Sequence, residues 1–210
     1  MKIEVKNVSK KFKDVEIIKP FSYTFESGRI YGLCGRNGSG KSVFLKLLAG
    51  YYVPSEGEIL YDGVNLNAKL EFPKNLRALI ESPSFFPDMT GYENLKMLAD
   101  IQGKIGKEEI LDALTKVNLI LEKDKKFSKY SLGMKQKLGI AQAIMENPEV
   151  LLLDEPFNGL ENDSVIKIIN LLKDYAKEGK LILISTHIKE DLEKLSDVIL
   201  FFDDGKINEK

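Results

Sequence analysis

The stretch Gly35-Arg36-Asn37-Gly38-Ser39-Gly40-Lys41-Ser42 constrains this chain more than any other. It fits G-x-x-x-x-G-K-[ST], a spacing that residue frequencies alone would place in roughly one chain in a hundred. Residues 30–34 ahead of it read as a short buried strand. Residues 43–48 behind it read as a helix that Gly50 ends. A strand, a glycine-rich loop and a helix in that order let backbone N–H groups converge on phosphate oxygens, and the helix N-terminus adds positive potential. Lys41 can then reach the outer phosphates and Ser42 can offer a hydroxyl to Mg²⁺. Gly35, Asn37, Gly38, Ser39, Gly40 and Val43 supply the rest of the cradle. A glycine-rich turn with a chance lysine would not explain the flanking strand and helix.

A second constellation follows a continuous apolar run. Residues 150–153 (Val-Leu-Leu-Leu) end at Asp154-Glu155-Pro156. Ligands of open α/β sheets bind beyond the carboxyl ends of the strands. Asp154 is there a candidate to hold Mg²⁺, and Glu155 a candidate to polarise an attacking water. Alone, this would be an acidic turn after a strand. Downstream of a phosphate loop, the catalytic pair is the better reading.

The remaining chain supplies a frame for both. Ile3 and Val5, then Phe21, Tyr23 and Phe25, alternate with polar residues, and residues 57–63 bracket another short strand with glycines, so the first third is β-rich. From about residue 88 to 147 the pattern turns helical. Thr90 and Glu93 form a capping-box pair, and Ile110, Leu111, Leu114 and Val117 recur at helical spacing, as do Leu138, Ile140, Ala141 and Ile144. Beyond residue 148, strands at 150–153, 181–185 and 198–202 alternate with helices at 165–172 and 189–195, which argues for a mainly parallel sheet.

Charge and composition exclude several alternatives. Lys and Arg total 31 against 32 Asp and Glu, a net charge of −1, so no field favours a nucleic-acid partner. Cys34 is the only cysteine, so no intrachain disulfide forms, and its place in the strand before the loop suits a small core residue. The apolar runs fall far short of the ~20 residues of a membrane span, and residues 1–6 lack a secretory apolar core. At 210 residues the chain suits one domain with room for an inserted lobe.

Together, the phosphate loop and Leu151-Leu152-Leu153-Asp154-Glu155-Pro156 make the chain resemble an ATP-binding cassette (ABC) ATPase, the motor subunit of ABC transporters. Further marks follow in the family's order. Tyr130-Ser131-Leu132-Gly133-Met134-Lys135-Gln136 resembles the signature, usually Leu-Ser-Gly-Gly-Gln. Asn158-Gly159-Leu160-Glu161 resembles the loop that crosses the dimer interface, and Ser185-Thr186-His187 the switch-histidine segment. The resemblance implies an α/β P-loop NTPase core with a mainly parallel sheet, an N-terminal antiparallel β subdomain and an inserted α-helical lobe. Residues 1–82 and 148–210 would form the core and about 83–147 the lobe. It also implies ATP and Mg²⁺ as cofactors, with ATP held between the loop of one cassette and Ser131 and Gly133 of a second, identical or not. Glu155, His187 and Lys41 would be catalytic, and Ser42, Asp154 and Glu81 would be on the metal side. An integral membrane subunit would be the partner, with the cassette cytoplasmic and peripheral on the inner face of the membrane. Without the resemblance, Ser131 would read as a plain helix cap and His187 as a structural histidine. Phe12 stands where the family stacks a ring on adenine, and equally reads as a core side chain from an edge strand.

The chain departs from the usual pattern at Leu132, Met134, Glu161 and Glu81, the last two in place of aspartate and glutamine. Leu132 would restrict the backbone where glycine is usual and could crowd the phosphate. Glu81 adds negative charge near the metal. Such variants are similar to the bacitracin-export and lantibiotic-immunity type, which points to an exporter subunit. The rival readings are a soluble cassette of an assembly system and an ATP-gated clamp with little turnover. Residues 83–87 (Pro-Ser-Phe-Phe-Pro) present aromatic rings either to a membrane partner or to the core. The lysines at 123, 125, 126 and 129 read as a solvated face.

Overall fold

The computed structural model describes residues 1–66 and 71–209. Strands β1 (Lys2–Phe12) and β2 (Val15–Glu26) form an antiparallel hairpin, Ile3 facing Phe25 and Phe12 facing Val15. After β3 (Ile30–Gly35) and helix α1 (Lys41–Leu48), strand β4 (Glu56–Tyr61) returns to the other side of β1. The result is a three-stranded sheet ordered β2-β1-β4. The alternation read in Ile3, Val5 and Phe25 places those side chains on one buried face, each at most 2% exposed.

The remaining elements are β5 (Leu76–Leu79), α2 (Gly91–Gln102), α3 (Lys107–Lys116), α4 (Leu132–Ile144), β6 (Val150–Asp154), α5 (Asn162–Lys177), β7 (Leu181–Thr186), α6 (Lys189–Leu195), β8 (Val198–Asp203) and β9 (Lys206–Glu209). The second sheet runs β5-β6-β7-β3-β8-β9, parallel except for β9, which pairs antiparallel with β8. Every residue of β6 and β7 is buried, as continuous apolar runs in a covered parallel sheet require.

Helix α1 lies between the sheets. Its Phe44, Leu45, Leu47 and Leu48 are fully buried against Ile3, Phe25, Leu152 and Leu183. Burying each such side chain contributes about 1.5–3 kcal/mol. On the other face, Leu95, Leu114 and Leu138 of α2, α3 and α4 join one core with Leu151, Leu153, Ile184 and Leu172. Helix α2 starts as its capping pair requires: Thr90 Oγ1 accepts from Glu93 N at 3.1 Å, and Glu93 Oε2 from Thr90 N at 2.7 Å. Strands β5 and β9 were not anticipated. Each is four residues long, too short to show a period, and each owes its form to the strand beside it.

This order positions the site. Strands β3, β7 and β6 are neighbours and parallel, so their carboxyl ends lie together. The phosphate loop, His187 and the Asp154-Glu155 pair therefore meet although they are far apart in sequence.

Candidate functional site

Helix α1 begins at Lys41, so the loop lysine and Ser42 are its first two residues. Gly40 precedes it at φ 104°, and among the described residues no side chain caps its N–H groups. A Cβ at Gly40 would lie 2.7 Å from Ile18 Cδ1 and 3.1 Å from the Ile17 carbonyl, so glycine is needed for sterics as well as for φ. The uncapped first turn leaves donors directed at an anion. Lys41 is 5% exposed, and its ammonium donates to the carbonyls of Gly35 (2.7 Å) and Arg36 (3.1 Å).

A cleft of about 250 Å³ opens on this turn. Asn37, Gly38, Gly40, Lys41, Ser42 and Val43 of the loop and α1 line it together with Asp154 and Glu155 and with Ile17 of β2. Sequence reasoning missed Ile17, whose place follows only from the β2 crossing. Gly35 and Ser39 shape the loop without lining the cleft: Ser39 N donates to Arg36 O at 3.1 Å, and a Cβ on Gly35 would meet the Phe202 carbonyl at 2.6 Å.

Asp154 ends β6, is 6% exposed and accepts a hydrogen bond from the Ser185 hydroxyl of β7. Glu155 turns sharply away at φ 47°, a left-handed conformation that costs a non-glycine residue about 1–2 kcal/mol. Its N–H donates to the Ser185 carbonyl at 2.9 Å, and its carbonyl accepts from Gln136 Nε2 at 3.2 Å. His187 Nδ1 lies 2.9 Å from Glu155 Oε2. An ionised carboxylate only accepts, so in the pairing with ionised Glu155 it is Nδ1 that donates. The other carboxylate oxygen, Oε1, is buried without a partner among the described residues. Such an oxygen beside a phosphate cradle is ready to take a proton or orient a donor.

Other predicted residues lie outside the cleft. Glu81 pairs with Lys46 of α1 beside a second cavity of about 430 Å³, which Tyr51 and Tyr52 also line. The hydrogen bond that Lys46 donates to Glu81 holds its ammonium above its ordinary pKa, against the opposing effect of burial. Ser131 caps α4, its Oγ accepting from Met134 N at 3.2 Å, as its place before a helical run predicts. Gly133 abuts the Gly159 carbonyl. Phe12 ends the central strand of its sheet, 39% exposed, with the Tyr52 ring edge-on at 5.2 Å and Lys10 Nζ 4.9 Å from its own ring centre. The core reading of Phe12 is therefore wrong: β1 is no edge strand, and the ring faces solvent.

The ABC transporter family profile matches residues 18–158. The chain belongs to the ABC transporter family. The cassette is 42% identical over 205 residues to an uncharacterized ABC transporter ATP-binding protein, YybJ, of Bacillus subtilis, covering 98% of this chain and 94% of that protein. It is 39% identical to the bacitracin transport ATP-binding protein BcrA of Enterococcus faecalis, over 99% of this chain and 68% of that one. It is 32% identical to the lantibiotic transport ATP-binding protein SrtF of Streptococcus pyogenes, over 98% and 88%. Among solved structures, an ATP-binding subunit of an ABC transporter superposes with a TM-score of 0.89 at 25% identity, covering 100% of this chain and 90% of that one. A dimeric bacterial ABC transporter cassette gives 0.90 at 24%, over 99% and 97%.

The cassette's departures from the usual signature are local. Leu132 takes a helical conformation as the first residue of α4, so the expected backbone restriction does not arise. Its side chain is 66% exposed and leans on Gly159, where a Cβ would come within 2.7 Å of it. The aromatic pair after Glu81 divides: Phe85 packs edge-on against Phe127 at 5.2 Å, while Phe86 is 55% exposed. The lysine-rich segment is solvated as expected, Lys125 reaching Glu122 at 3.5 Å. Cys34 is half-buried, and burial pushes its thiol pKa up.

Proposed function

We propose that the cassette hydrolyses ATP and couples the cycle to export through a separate membrane subunit. The observation that carries this reading is the cleft itself. Among the described residues, an uncapped helix start with Lys41 shares the cleft with a carboxylate, Glu155, that is held by His187 and has one oxygen unpaired. In this reading the loop N–H groups and Lys41 neutralise phosphate charge, and Glu155, assisted by His187, positions or deprotonates the attacking water. Ser42 and Asp154 are hard oxygen donors that both line the cleft and suit Mg²⁺, which takes one or two protein ligands besides phosphate and water. Bound there, Mg²⁺ would offset charge on the phosphate oxygens. Glu81 lies one cavity away, tied to Lys46, and would reach the metal side only after that pair parts.

Ser131 and Gly133 are proposed to complete the site of a second cassette, with Phe12 against the base. The dimeric solved relative supports a two-cassette assembly. The transport ATP-binding proteins among the relatives support an integral membrane partner, with the cassette on its cytoplasmic side; among the described residues no helix is long and apolar enough to cross a membrane. The bacitracin and lantibiotic transport proteins among the relatives support a peptide antibiotic as cargo. The deciding experiment is steady-state ATPase activity of the wild type and of Glu155→Gln. Turnover that falls at least ~100-fold in the variant while ATP binding persists supports the reading. A wild type that binds ATP without turnover would make it a clamp instead.

A further inference from the structure

We infer that Gln136, in the second turn of α4, is a positioning residue for Glu155. The inference rests on Glu155 serving as the group that handles water. Gln136 is 6% exposed, on the buried stripe of α4 with Ile140 and Ala143. A buried amide must spend its hydrogen bonds inside the protein. The bond described for Gln136 crosses to another segment, Nε2 donating to the Glu155 carbonyl at 3.2 Å.

That carbonyl belongs to the strained residue of the site. Glu155 holds φ 47° although it is not glycine, and such a conformation persists only where its surroundings fix it. Four hydrogen bonds fix it here. Its N–H donates to the Ser185 carbonyl at 2.9 Å and to the Ser185 hydroxyl at 3.3 Å, while its carbonyl accepts from Asn158 N at 3.3 Å and from Gln136. The first two come from the neighbouring strand and the third from the turn that Glu155 itself opens. Of the four, only the Gln136 bond comes from α4. The kink it secures is what carries the carboxylate off the line of β6 to meet His187 at 2.9 Å.

The same helix begins at Ser131 and Gly133, five and three residues earlier. At 1.5 Å per residue, Gln136 is about 7 Å along the helix axis from Ser131. A rigid shift of the α4 N-terminus therefore reaches the Glu155 backbone through one side-chain bond. The amide thus makes the orientation of the carboxylate depend on where α4 sits.

The test compares Gln136→Met, Glu155→Gln and the double variant. Methionine keeps the length and flexibility of the side chain and removes the donor. Asn158 N still satisfies the carbonyl, so the fold should hold. Losing one positioning bond should lower kcat about three- to tenfold. KM for ATP should stay within about twofold, and the melting temperature within a few degrees. In single-turnover hydrolysis the double variant should be no slower than Glu155→Gln, because the amide acts through that residue. An unchanged kcat in Gln136→Met overturns the inference. So does a joint loss of kcat, ATP affinity and melting temperature, or a double variant slower than Glu155→Gln by the full factor. If Glu155→Gln itself keeps its turnover, the role of Glu155 fails first, and that outcome is read from the single variant alone.

Discussion

Gly133→Ala adds one carbon at a close approach between α4 and the loop after Glu155. The new Cβ would lie 2.6 Å from the Gly159 carbonyl oxygen. Ordinary contact begins at 3.4 Å, so the two backbones must part by about 0.8 Å. Neither partner is a side chain that can swing aside, and Gly159 is itself pinned at φ 74° under Leu132. Overpacking of this kind costs about 1–3 kcal/mol. Alanine in a helix gives back about 0.4–1 kcal/mol relative to glycine. The net loss is at most about 2.5 kcal/mol, or roughly 10 °C in melting temperature for a chain this long. The fold should survive. Turnover should not, since a displacement near 1 Å at a reacting site can lower rate ~100-fold. Thermal melting and steady-state ATPase activity are measured together, with Gly106→Ala as the control. The added carbon there meets only a flexible carboxylate, at 3.7 Å, far from the site. Gly133→Ala with wild-type turnover would refute the reasoning, because the helix and loop would then be free to separate without consequence.

Two further outcomes rest on the helical region. Thr90→Ala removes the acceptor at the start of α2 and should cost about 1 kcal/mol, read as a fall of about 2–4 °C in melting temperature with ATPase activity kept. Tyr130→Phe removes a buried donor to the Glu122 carbonyl at 2.8 Å and should cost about 1 kcal/mol at neutral pH. Burial pushes the Tyr130 phenol up to about 12 from 10.0, so between those values the unfolded chain has released a proton that the folded chain keeps. Its contribution is therefore complete below pH 10 and lost as pH rises toward 12. The stability gap between wild type and Tyr130→Phe, from urea unfolding, should narrow above pH 10; a gap that widens would reverse the sign.

Contiguous features were legible in the sequence, and contacts between segments were not. The phosphate loop, the apolar run into Asp154-Glu155 and the Thr90-Glu93 cap each carry their chemistry within a few residues, so spacing alone exposes them. Ile17 enters the cleft because β2 crosses above Gly40, which no local pattern records. Ser185 holds both Asp154 and Glu155 because β7 lies beside β6 in register, Asp154 opposite Ser185. Glu81 was read as a metal-side residue from its motif position, and its pairing with Lys46 depends on α1 lying beneath it. A weak signal for Gln136 did exist: an amide four residues before Ile140 on the apolar stripe of α4 is a polar group that needs an internal partner. The partner could be found only from the fold.

The geometry also accounts for which signature positions depart from the usual residues. Leu132 is helical and two-thirds exposed, so a large side chain needs neither a special φ nor a cavity. Met134 is partly buried at the edge of the core, where a flexible thioether packs readily. Gly133, between them, faces a carbonyl at 2.6 Å from its would-be Cβ and cannot accept even one carbon without moving backbone. Gln136 has a defined donor task in the interior. Substitution is free where the backbone is regular and space is open, and closed where α4 touches the loop or Glu155. Turnover should therefore depend on Gly133 and Gln136 far more than on Leu132, and the unusual spelling of this signature is no reason to expect an idle cassette.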